Sequence, residues 1–107
     1  MAKRGKRKTS RISKKKRPDF AIVAKRRDYV LNYLKSHPCV DCTEDDIVVL
    51  QFDHVRGRKV DNISLMVQLA YDEDVIRSEI AKCEVRCANC HTRKTAREQN
   101  WAKTRFI

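Results

Sequence analysis

The chain has 107 residues, 25 Lys+Arg against 14 Asp+Glu, a formal charge of +11, five cysteines and two glycines. That length fits one small domain, of a size that often relies on a staple besides its core. It contains no run of 18 apolar residues and no apolar segment behind the basic start. Neither a membrane span nor a secretory leader is therefore expected, and the cysteines read as reduced thiols available to a metal.

The charge is concentrated at the start. Residues 1–17 hold ten Lys/Arg and no acid, which leaves +1 on residues 18–107. A segment this polar cannot bury enough surface to offset its ordering entropy, so a disordered basic arm is expected over 1–17. Lys14, Lys15, Lys16 and Arg17 are its densest cluster. Such an arm suits phosphates, where each neutralised charge releases counterions. A tail that merely keeps the chain soluble is the plainer alternative.

Residues 18–107 read as the folded domain. Pro18-Asp19 marks a helix start, and Phe20, Val23, Ala24, Val30, Leu31 and Leu34 recur at helical spacing up to Lys35, within a helical segment 18–36. His37-Pro38 ends it, and His37 reads as a surface turn residue near enough to Cys39 to serve as a donor behind a metal ligand. The β-branched run from Ile47 to Val55 predicts a strand carrying Gln51, Phe52, Asp53 and His54. A basic turn, Arg56 to Lys59, leads to two short helices over 62–71 and 74–82, with Asn62 and Asp72 as caps. Glu84-Val85-Arg86 predicts a brief second strand, and residues 91 to about 103 a basic last helix carrying Arg93, Lys94, Arg97 and Lys103. The fold class expected is α+β.

Two Cys-x-x-Cys pairs, Cys39/Cys42 and Cys87/Cys90, are the strongest signal in the chain. Each pair puts two sulfurs on one tight turn, and two such turns supply the tetrahedral four-sulfur set of structural zinc. A closed four-cysteine site has no open position, so its role is to hold structure together. Four thiolates and one Zn²⁺ would take the +1 body to about −1. Cys83, without a Cys-x-x-Cys partner, reads as a small buried residue of the preceding helix. The zinc would draw the strand and the last helix together, bringing Asp53, His54 and His91 to a common cleft.

The order Cys39-Val40-Asp41-Cys42, Phe52-Asp53-His54-Val55, Asn62-Ile63 and Cys87-Ala88-Asn89-Cys90-His91-Thr92-Arg93-Lys94 resembles the HNH endonucleases, with their ββα-metal motif, over residues 39–97. The resemblance implies that Asp53 and His91 bind a catalytic divalent ion, Mg²⁺, Mn²⁺ or similar. It also implies that His54 is the general base and that Asn62 orients it, with Asn89 a rival for the motif asparagine. Thr95 stands where some members carry a further metal ligand, which leaves two protein ligands. An imidazole can accept a proton near neutral pH, and a carboxylate with an imidazole suits a hydrolytic metal. Arg93, Lys94 and Arg97 would meet phosphates.

The expected activity is hydrolysis of phosphodiester bonds in DNA. The few base contacts on offer imply nicking or cutting of the duplex with little sequence preference. A protein partner would supply any specificity, and the enzyme would act as a monomer or as a homodimer through the 20–35 helix. By analogy its setting is cytoplasmic, in a bacterial or phage-infected cell. The rival reading is a non-catalytic zinc module that binds nucleic acid, RNA- or ribosome-associated. That module would share the arm, the cysteines and the basic helix, but would have no need of Asp53, His54 and His91 together.

Overall fold

The computed structural model describes residues 19–106; the basic arm, with Lys14, Lys15, Lys16 and Arg17, and Pro18 lie outside them. Helix α1 spans Phe20–Lys35, opened by the Asp19 carboxylate, which accepts from the Ala21 N–H at 2.7 Å. Strand β1 (Leu50–His54) pairs antiparallel with β2 (Cys83–Cys87), and between them lie α2 (Ile63–Gln68) and α3 (Glu73–Ile80). Helix α4 (Ala88–Glu98) leaves β2 directly, and a 3-10 turn over Ala102–Phe106 follows. The result is a small α+β fold in which β1, β2 and α4 form a ββα unit flanked by the other helices.

The two strands sort their side chains by the pleat. Leu50, Phe52 and His54 lie across from Cys87, Val85 and Cys83 on one face; Gln51 and Asp53 lie across from Arg86 and Glu84 on the other. The first face feeds two apolar clusters. Leu34, Cys39, Leu50, Val85, Cys87 and Cys90 form one, beneath the cysteine knuckles. Ile63, Met66, Val67, Ile76 and Ile80 form the second, between α2 and α3. Tyr33 and Phe52 pack against both and join them.

Several expectations shift for local reasons. The 47–55 strand shortens to Leu50–His54, because the Asp46 carboxylate accepts from the Val48 N–H and winds Ile47–Val49 into a 3-10 turn. The second strand lengthens from 84–86 to Cys83–Cys87, so Cys83 is a buried strand residue and not the end of a helix. The last helix starts at Ala88, three residues early, since the Cys87 sulfur caps it by accepting from the Cys90 N–H. It stops at Glu98, where Asn100 adopts the left-handed φ of 53°. Asn62 and Asp72 occupy the N-cap positions of α2 and α3, yet neither side chain makes a capping bond. On α1, Val23, Val30 and Leu34 of the expected stripe pack inward together with Tyr29 and Tyr33, while Phe20 and Leu31 stay exposed.

Candidate functional site

The four Cys-x-x-Cys sulfurs converge. Cys39, Cys42, Cys87 and Cys90 place their Sγ atoms within 4.8 Å of one another, with Cys42 and Cys87 at 3.7 Å. Tetrahedral zinc with Zn–S bonds of about 2.3 Å requires sulfurs about 3.8 Å apart, so the cluster can hold a metal ion such as zinc. Burial pushes the Cys39 thiol up, but N–H groups of Cys87, Cys42 and Asp41 outweigh it and bring the thiol down to about 6. A sulfur already disposed to ionise is a ready ligand. Burial pushes Cys90 up to about 12, with the neighbouring sulfurs adding to the rise. A divalent cation reverses that logic by stabilising all four thiolates. His37 stands apart from this centre: its ring stacks on Tyr33 at 3.8 Å and its Nδ1 bonds the Tyr33 carbonyl and the Ser36 hydroxyl, so it supports no sulfur.

On the polar face of the sheet, Asp53 is 6 % exposed and Arg86 is 8 % exposed. The Arg86 guanidinium meets three carboxylates: Asp41 in the first knuckle at 2.7 Å, Asp53 at 2.8 Å and Glu84 at 2.9 Å. Its fork therefore connects the cysteine centre to the candidate catalytic carboxylate. The same contact holds the Asp41 carboxyl below its ordinary value. Lys94 reaches Asp53 Oδ2 at 3.2 Å and Glu98 at 2.9 Å; these partners, Glu98 foremost, raise its pKa.

Asp53 Oδ1 is left facing His91 Nε2 at 3.5 Å. His91 Nδ1 lies 2.8 Å from Gln51 Oε1, and with the amide so turned the hydrogen of this contact belongs to Nδ1. In the neutral ring, Nε2 then turns a lone pair toward the carboxylate oxygen. Two acceptors facing one another at this distance suit a bridging cation, and a ligating histidine commonly donates its other N–H to just such an acceptor. Asp53 and His91 could thus offer two ligand atoms to a cation; Thr95, the next position on this face of α4, makes no side-chain bond among the described residues.

His54 lies on the opposite face from its neighbour Asp53, as strand alternation requires. It lines a cavity of about 460 Å³ along β1, together with Gln51, Lys59, Asn62 and His91. The histidines therefore share one cleft, while Asp53 reaches it from beneath through His91. His54 Nε2 bonds Glu79 Oε2 at 3.0 Å. Asn62 is exposed and makes no side-chain bond to His54, and Asn89 is exposed on the first turn of α4. Arg93 and Arg97 are exposed one turn apart on α4.

No motif marks three further contributors, Gln51, Glu79 and Arg86. Gln51 stands two residues from Asp53 and so shares its strand face, which is a usable signal. Glu79 interrupts the apolar spacing Ile76, Ile80 of α3, a sign of a buried carboxylate. Nothing in the local pattern marks Arg86 as the link between Asp41 and Asp53.

The fold and these contacts define a small α+β domain with a four-cysteine cluster that can hold a metal ion, beside a histidine-lined cleft. No protein-family model, curated protein or solved structure matches the chain. Among the described residues no helix is long and apolar enough to cross a membrane.

Proposed function

We propose that the chain is a metal-dependent endonuclease of the HNH type, with structural zinc on the four cysteines, hydrolysing phosphodiester bonds in DNA. The observation that carries this reading is the pairing of Asp53 Oδ1 with His91 Nε2 at 3.5 Å, at the edge of a cleft that also holds His54. Asp53 and His91 would hold a Mg²⁺ or Mn²⁺ ion, which when bound supplies positive charge to the phosphate and the leaving oxygen. Gln51 keeps the His91 ring turned toward Asp53. His54 accepts a proton from water as the water oxygen attacks phosphorus. The bond to the 3′ oxygen breaks, and that oxygen takes a proton from solvent, giving a 3′ hydroxyl and a 5′ phosphate. Arg93 and Arg97, exposed on α4, are available to flanking phosphates, and the basic arm would add non-specific attraction.

The test is cleavage of supercoiled plasmid with Mg²⁺ or Mn²⁺, comparing the full chain with His54→Ala. Metal-dependent nicking that disappears in the variant, with DNA binding retained, is expected. Absence of cleavage with every divalent metal tried overturns the reading.

One observation favours the rival, a non-catalytic zinc module that binds nucleic acid. Asp53 Oδ2 already carries two cations, Arg86 and Lys94, and a carboxylate so paired can serve purely to hold the fold. Binding without cleavage in the same assay selects that reading.

A further inference from the structure

Glu79 is one of the largest fully buried side chains, 2 % exposed, and both its carboxylate oxygens are bonded. Oε2 accepts from His54 Nε2 at 3.0 Å and from the Val60 N–H at 2.9 Å, and Oε1 accepts from Lys82 Nζ at 2.9 Å. Lys82 also donates to the Arg58 carbonyl at 2.6 Å, so Glu79 and Lys82 together fasten the 55–62 segment beside His54. The Val55 and Arg56 N–H groups add bonds to the Lys82 carbonyl at 2.9 and 3.1 Å. The segment cannot move away from the histidine without breaking this set.

The charge arrangement has a chemical consequence. The Lys82 ammonium neutralises Glu79 locally, so the buried carboxylate has its counter-charge without requiring an imidazolium at His54. A carboxylate oxygen can only accept, so the hydrogen between it and a neutral ring must sit on Nε2. The second ring nitrogen, Nδ1, has no protein partner among the described residues.

We propose that Glu79 is a positioning residue that locks His54 in the tautomer with hydrogen on Nε2, making Nδ1 the proton-accepting atom of the ring. Its consequence for catalysis rests on the nuclease reading above; the tautomer itself does not. Glu79 contacts neither substrate nor metal in this scheme and acts only through His54. Burial alone would raise its carboxyl, but Lys82, Val60 and His54 outweigh that and hold it at about 2, so the acceptor is ionised near neutral pH.

The ¹⁵N shifts of the two ring nitrogens report the tautomer directly. They would be measured on the full zinc-loaded chain near neutral pH without DNA, and assigned by loss of the signals in His54→Ala. Hydrogen fixed on Nε2 is expected; hydrogen on Nδ1, or averaging between the two nitrogens, overturns the proposal. Glu79→Gln gives the second arm. An amide has one acceptor oxygen, and the Lys82 ammonium, the strongest donor present, should claim it at the cost of the Val60 N–H bond. The NH₂ then faces Nε2 and drives the ring hydrogen to Nδ1. With plasmid substrate, kcat should fall on the order of 10²-fold while KM stays within about twofold, the scale of a lost general base. A folded Glu79→Gln protein that keeps hydrogen on Nε2 and still loses kcat contradicts the positioning role, as does an inverted tautomer with unchanged kcat. A fixed Nε2–H tautomer in a wild-type chain that cleaves nothing sinks the nuclease reading and leaves the assignment at His54 intact.

Discussion

Replacing Glu79 with glutamine removes a buried charge whose worth depends on pH, and the structure sets both the sign and the window. The carboxyl sits at about 2, against 4.5 for an ordinary glutamate. Desolvation acts to raise it and is overcome by the Lys82 ammonium, the Val60 N–H and the His54 ring. A folded-state pKa below the unfolded one stabilises the fold fully above about 4.5, and that contribution is lost as pH falls toward about 2. The linkage amounts to about 3 kcal/mol at neutral pH, roughly two-fifths of it gone by about pH 3.5. Acid also protonates the cysteine ligands and releases metal, which destabilises wild type and variant alike in a similar range. The informative quantity is therefore the difference between wild-type and Glu79→Gln unfolding free energies, from urea titrations at successive pH values. That difference should narrow by about 1–2 kcal/mol between about pH 6 and about pH 3.5. A difference that stays constant across the window refutes the assignment of Glu79 as an ionised carboxylate held by Lys82, Val60 and His54.

Cys87→Ser should abolish stoichiometric zinc binding, read by metal analysis, and leave the chain unfolded by circular dichroism, because Cys87 both belongs to the sulfur cluster and caps α4. A folded, zinc-free variant contradicts this. Arg86→Met should cost about 3–5 kcal/mol in denaturant unfolding, since it strips a buried partner from Asp53; the more exposed Asp41 and Glu84 can regain water. A loss below about 1 kcal/mol would show that Lys94 alone suffices for Asp53. Deleting residues 1–17 should weaken DNA binding and flatten the dependence of log K on log[salt], by about 0.9 for each phosphate contact removed. An unchanged slope excludes the arm from the interface.

The parts of this protein legible in its sequence are those set by local chemistry. The span of α1 follows from helical periodicity and an acidic cap; the β-branched run over 47–55 marks the region of β1, although its Ile47–Val49 form the 3-10 turn before the strand, and Glu84-Val85-Arg86 marks the centre of β2. The two Cys-x-x-Cys pairs identify the sulfur cluster because their turns supply ligands in a fixed spacing. Element ends were less legible, since single side chains decide them: Asp46 shortens β1, and the Cys87 sulfur starts α4 early.

The polar wiring of the cleft was decided by the tertiary structure alone. Glu79 meets His54 across 25 residues of sequence, Gln51 meets His91 across 40, and Arg86 joins Asp41 to Asp53 across 45 and 33. Periodicity shows which face of a helix or strand a residue occupies, but not which distant charge will lie opposite it. Pairing β1 with β2 and packing α3 and α4 against the sheet removes Asp53, Glu79 and Arg86 from water. Each buried charge must then have a partner within hydrogen-bond reach, and only the packed fold determines which one it has.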